Sequence, residues 1–110
     1  MWLFTTQGFY SVVAHRDEPS KVLVRTRSRE DLDALRQQIA GLELIEDPSA
    51  DYRYRAVVER EEWEVAASAL VAAIDYPNFK SAVAERQGSR RAGFYGEVWR
   101  VMRELQDDSD

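Results

Sequence analysis

Lys21-Val22-Leu23-Val24-Arg25-Thr26-Arg27 and Arg53-Tyr54-Arg55-Ala56-Val57-Val58 are the stretches whose reading decides the fold. Both alternate, and in a strand alternate side chains share a face. The first predicts a strand with Arg25 and Arg27 on one face and Val22 and Val24 on the other. The second predicts Arg53 and Arg55 on one face, with Tyr52, Tyr54 and Val58 opposite. If the two strands are neighbours, four guanidinium groups gather on one side of a sheet.

Working outward, Trp2 to Thr5 is apolar and β-prone, and Phe9 to Ala14 reads as a strand. Thr6-Gln7-Gly8 between them is either a hairpin turn, with Gly8 at positive φ, or a bulge in one long strand. Asp17-Glu18-Pro19-Ser20 is a turn cluster. After the first arginine strand, Ser28 reads as a helix N-cap with Asp31 as its capping-box acid. Leu32, Leu35 and Ile39 lie at helical spacing, and Gly41 is a natural stop. Residues 42 to 45 form a short strand, Asp47-Pro48-Ser49-Ala50 a turn, and residues 52 to 59 the second arginine strand.

Helical spacing resumes at Trp63, Ala66, Ala67, Leu70 and Ile74, and Pro77 interrupts it. Asn78 to Arg86 then form a short helix. Gln87-Gly88-Ser89 break the chain before a last helix with Tyr95, Val98, Trp99, Met102 and Leu105 on one stripe. Trp63 and Trp99 are expected as core anchors. Residues 107 to 110 read as a disordered acidic tail.

The predicted class is α+β: an antiparallel or mixed sheet of four to five strands with helices on one face, in one domain over residues 1 to 106. The strand at 21 to 27, the next helix and the hairpin at 42 to 59 form a ferredoxin-like half. With the strand at 9 to 14 beside it, the sheet becomes a circularly permuted ferredoxin-like arrangement. The two arginine strands would then be parallel neighbours through a right-handed crossover. A plain antiparallel α+β sheet with another strand order is the alternative.

Composition bounds the chemistry. The 110 residues are 45% apolar, enough for an ordinary core. There is no cysteine, which removes disulfides, thiolate metal sites and a cysteine nucleophile. The formal charge of -5 argues against a general nucleic-acid coat protein. Yet Lys21, Arg25, Arg27 and Arg29 form an acid-free stretch. No apolar run approaches the roughly 20 residues of a membrane span, and the first residues lack a signal-peptide pattern. A cytoplasmic protein without membrane contact is the expectation.

Two candidate sites emerge, both for binding an anion or a partner. One is the sheet face carrying Arg25, Arg27, Arg53 and Arg55. Phe9, Ser11 and His15 join it if Tyr10, Val12 and Ala14 are the buried set. Arginines beside aromatic rings on an open sheet can hold phosphates and stack bases. The same arginines can instead pair with Glu43, Glu59 or Asp51 on a solvated surface. The other candidate is the helix break with Asp75, Tyr76, Asn78 and Lys80. There, alternatively, Tyr76 and Phe79 fill a kink while Asp75 or Asn78 satisfies freed backbone groups.

His15 is the only histidine, and no metal-ligand spacing involves it. Glu59, Glu61, Glu62 and Glu64 cluster where a helix dipole favours them. No phosphate loop or dinucleotide fingerprint occurs. No catalytic residue, metal or cofactor is assigned.

Met1-Trp2-Leu3-Phe4, Gly8-Phe9-Tyr10-Ser11-Val12-Val13, Asp51-Tyr52-Arg53-Tyr54-Arg55, Ile74-Asp75-Tyr76-Pro77-Asn78-Phe79-Lys80 and Tyr95-Gly96-Glu97-Val98-Trp99 together resemble a family of small bacterial proteins. The resemblance implies a complete domain in a bacterial cytoplasm. It brings no activity, cofactor or site residue.

The leading functional expectation is a non-catalytic binding or regulatory module using the arginine face. A protein partner or self-association is favoured over nucleic acid. The alternatives are a homodimeric interaction module, a small enzyme with a pocket near residues 75 to 80, and an acidic decoy that inhibits a nucleic-acid-binding protein.

Overall fold

The computed structural model describes residues 1 to 108 and divides into two compact units, Met1–Asp75 and Tyr76–Asp110. The first unit carries strands β1 (Trp2–Phe4), β2 (Phe9–Ala14) and β3 (Lys21–Thr26), helix α1 (Arg29–Ala34), strands β4 (Ile45–Glu46) and β5 (Tyr54–Glu59), and helix α2 (Arg60–Ala72). The second carries helices α3 (Phe79–Gln87) and α4 (Ser89–Asp108).

The sheet has five strands in the order β1-β2-β3-β5-β4, and every neighbouring pair is antiparallel. The two arginine strands are adjacent, but antiparallel rather than parallel. The β4–β5 hairpin folds back so that β5 slips between β3 and β4. The parallel relation set by the crossover through α1 therefore links β3 to β4 instead. With β2 on the outer side of β3, the order matches a ferredoxin-like sheet whose last strand comes first, with β1 added at the edge.

One face of the sheet is closed. Tyr10, Val12, Val22, Val24, Ala56 and Val58 point into a core with Leu32, Leu35 and Ile39 from the α1 segment and Trp63 and Ala66 from α2. Burying each large side chain contributes about 1.5–3 kcal/mol. Val22 and Val24 line up with Val58 and Ala56, so alternation in both strands points the same way.

Several local expectations are corrected. Thr5 and Gly8 close the β1–β2 hairpin: Thr5 Oγ1 donates to the Gly8 carbonyl at 2.8 Å and accepts from the Gly8 amide at 2.9 Å. Gly8 does not adopt positive φ, and among the described residues only Gly88 does. Ser28 makes no side-chain cap, and Asp31 is buried with its carboxylate accepting from the Phe9 amide at 2.9 Å. The Asp31 carbonyl also accepts from the Tyr10 hydroxyl at 2.9 Å. Asp31 thus ties α1 to β2 rather than capping its own helix.

The α1 helix ends at Ala34 and continues as a 3-10 turn over Leu35–Gln37, and Gly41 is not left-handed. Residues 42 to 44 are not strand. Helix α2 opens with a reciprocal capping box, Glu59 with Glu62, which uses two of the acids read there as dipole partners.

In the second unit, Gly88 at φ 96° joins α3 and α4 directly. Ala82 and Val83 of α3 and Ala92 and Tyr95 of α4 are buried. Helix α4 begins at Ser89 and runs to Asp108, so Asp107 and Asp108 are helical rather than part of a tail. Ser109 and Asp110 lie outside the described residues. Trp63 is a core residue as expected, whereas Trp99 is 61% exposed.

Candidate functional site: the open sheet face

The second face of the sheet carries the other parity of side chains. Strand register aligns Trp2 with Ser11, Ser11 with Arg25, Arg25 with Arg55, and Arg55 with Ile45. One row of side chains therefore crosses all five strands, with an indole at one end, an aliphatic group at the other and two guanidinium groups between. On one side of it Phe4 aligns with Phe9. On the other, Val13, Leu23 and Val57 form an apolar row.

The aromatic end is packed within itself. The Phe4 and Phe9 rings stack at 4.4 Å between centroids, and Trp2 meets Phe9 edge-on at 5.8 Å. Trp2 is nonetheless 65% exposed. Tyr10 and Val12 are buried in the core, which puts Phe9 and Ser11 on this face. His15 at the strand end is occupied locally, its Nδ1 accepting from the Asp17 and Glu18 amides, each at 3.1 Å.

Arg25 is held in place from two directions. Its Nη2 donates to Ser11 Oγ at 2.8 Å, and its guanidinium lies 4.6 Å from the Tyr52 ring centroid. Arg27 covers the same ring at 4.2 Å. Tyr52 is only 4% exposed. It was expected opposite the arginines, but β5 starts at Tyr54 and strand alternation does not extend back to it. A ring face beneath two cations favours both through its quadrupole.

The four arginines divide into two kinds. Arg27 donates to the Asp51 carbonyl at 3.0 Å and approaches Asp51 Oδ1 at 3.5 Å. Arg53 lies outside the strand and donates to Glu46 Oε2 at 3.0 Å. Glu46 aligns with Tyr54, on the parity opposite Arg55, so Arg53 does not gather with Arg25 and Arg55. The Glu46 hydrogen bond raises the Arg53 pKa above its ordinary value, with the Tyr54 and Glu46 charges adding to it. Arg29 shares Glu46 at 3.5 Å.

Arg25 and Arg55, by contrast, have no ion pair among the described residues. Their Nε atoms are shielded from solvent and without a hydrogen-bond partner there. The Asp47 carboxyl is held below the usual carboxylate range chiefly by the Ser49 hydroxyl, then by the Ser49 amide, and in smaller part by the charge of Arg55.

The helix break is arranged differently. Tyr76 and Phe79 lie 5.9 Å apart, and Phe79 stacks on Tyr95 at 5.8 Å with 9° between the planes. Asn78 is the α3 N-cap, its Oδ1 accepting from the Ser81 amide at 2.9 Å. Lys80 is exposed and borders a cleft of about 350 Å³ with Asn78, Phe79, Tyr95, Gly96 and Trp99. Asp75 is exposed and belongs to the first unit. The aromatic and amide groups of the break are thus engaged in packing and capping.

Trp2, Phe4 and Tyr52 were not among the site residues read from sequence. The hairpin register around Thr5–Gly8 was the signal for the first two. Tyr52 had none, because its position depends on where β5 starts.

No cluster of three or more potential metal ligands occurs among the described residues, and no helix there is long and apolar enough to cross a membrane. Comparison with family models, with curated proteins and with solved structures gives no match in any of the three.

Proposed function

We propose that the protein is a non-catalytic binding module that takes an anionic group of a protein partner on its open sheet face, at Arg25 and Arg55. The observation that carries this reading is the alignment of these two guanidinium groups across β3 and β5 without an ion-paired acid among the described residues. Like charges directly opposite each other destabilise a sheet. A carboxylate or phosphate between them would relieve that repulsion and accept hydrogen bonds from both planar forks.

The surroundings favour an anionic group set among apolar side chains. Val13, Val57, Ile45 and Trp2 are all exposed around the pair. A net charge of -5 works against long-range attraction of a polyanion. It does not oppose a single anion held at contact range. Together these features favour a protein partner over a nucleic acid. The Trp2, Phe4 and Phe9 cluster supports a second reading, single-stranded nucleic acid stacked on the aromatic end.

The test is an NMR titration that follows the Nε–H signals of Arg25 and Arg55. Inorganic phosphate, an acidic peptide and a short single-stranded oligonucleotide are added in turn. The expected result is joint movement of both signals with phosphate and with the peptide, and loss of the Arg25 response in Arg55→Gln. Silence of both signals, or equal movement of Arg27 and Arg53, would overturn the reading. A response to the oligonucleotide alone would transfer it to nucleic acid.

A further inference from the structure

Helix α4 has a surface that its own unit leaves uncovered. Its 20 residues extend about 30 Å, whereas the nine of α3 extend about 14 Å. Joined through Gly88, α3 can lie alongside only the first half of α4, where Ala92 and Tyr95 are buried. Phe94, Trp99, Val101, Met102 and Leu105 are all about half or more exposed. That is a large apolar surface for one helix.

The spacing of this surface is regular. Arg91, Phe94, Val98, Val101, Leu105 and Asp108 follow one another at steps of three, four, three, four and three. This is the seam of a two-helix coiled coil, with four apolar residues between a cation at one end and an anion at the other. In an antiparallel pair of α4 helices, Phe94 faces Leu105 of the second copy and Val98 faces its Val101. Arg91 then faces Asp108. A parallel pair would instead set Arg91 against Arg91 and Asp108 against Asp108.

We infer that α4 is a self-association surface and that its partner is the α4 helix of a second copy, packed antiparallel. The charge pattern of the seam selects both the occupant and the direction. The apolar surface covered, roughly 1,000 Å² over both copies, is at the low end for a specific interface. The dimer therefore forms reversibly with concentration. This inference does not depend on the arginine face.

Sedimentation equilibrium of the full chain from micromolar to millimolar concentration tests it. A monomer–dimer equilibrium is expected, with Val101→Glu and Leu105→Glu each weakening association by about tenfold or more. Both positions are exposed, so circular dichroism and the unfolding midpoint should stay unchanged at dilutions where the chain is monomeric. Direction is read by disulfide formation, since the chain has no cysteine of its own. A mixture of Phe94→Cys and Leu105→Cys proteins should yield the mixed disulfide, and Leu105→Cys alone should yield little. A monomer at every concentration, a dimer indifferent to both glutamates, or efficient pairing of Leu105→Cys with itself would each overturn the inference.

Discussion

A Cβ atom placed on Gly8 would sit 2.8 Å from Cγ of Asp31. That distance, rather than any unusual backbone angle, is why the hairpin between β1 and β2 carries glycine. The close approach lets the Asp31 carboxylate accept from the Phe9 amide, which joins the first helix to the strand supporting the aromatic end of the site. Gly8→Ala is expected to cost about 1–3 kcal/mol of stability, the usual range for overpacking. Asp31→Ala should cost about as much through the unsatisfied Phe9 amide. In the double variant the contacts with Cγ and the carboxylate oxygen are gone and only the residue-31 Cβ, 2.9 Å away, still crowds the new methyl group, so the two costs should fall short of their sum. Chemical denaturation of the four proteins measures this, and strict additivity would refute the contact.

Arg55 should reveal itself as a residue kept at the expense of stability. Replacing it with threonine removes one of two aligned cations and adds a good strand former. An increase of about 0.2–1 kcal/mol is expected from relieving the like-charge pair. The same change should abolish the response of Arg25 to phosphate. A loss of stability would mean that Arg55 is mainly structural.

Asn78 gives a contrasting expectation. Its side chain caps α3 through the Ser81 amide, so Asn78→Ala should cost the second unit about 1 kcal/mol. Asn78→Asp should cost much less, because the capping oxygen is retained. Hydrogen exchange of the amides in α3 reports the effect, and equal exchange in both variants would contradict it.

The pH dependence of the 47–50 turn follows from Asp47. Its folded-state pKa lies below the ordinary value. A depressed carboxylate contributes stability that is present above the unfolded pKa, near about 3.9, and lost as pH falls through the folded value. Carboxyl NMR should show Asp47 titrating below the ordinary aspartate value. In Ser49→Ala, which removes the leading cause, the midpoint should move upward.

The two alternating stretches made the sheet and its closed face legible, because a period of two can be satisfied only one way once Val22, Val24, Ala56 and Val58 are buried. Strand direction was not legible, since it depended on β5 returning between β3 and β4. That placement is decided by a β4 of only two residues. Asp31 was misread because an acid three residues after a serine suits a cap equally well, and only the tertiary approach of Gly8 decides otherwise. Arg25 and Arg55 could be paired from the pattern, but Arg53 could not be excluded without knowing that the strand begins one residue later. Trp99 shows the same limit for helices. Its stripe was visible in the sequence, and the short reach of α3 that leaves it exposed was not.

The brevity of the outer strands has a further consequence. β1 has three residues and β4 two, so each rim of the sheet offers few free backbone groups for another chain to copy. Runaway strand-by-strand growth, the usual route from an open sheet to fibrils, has little template here. The protein can therefore expose an apolar, arginine-bearing face at high concentration without the sheet extending from its rims.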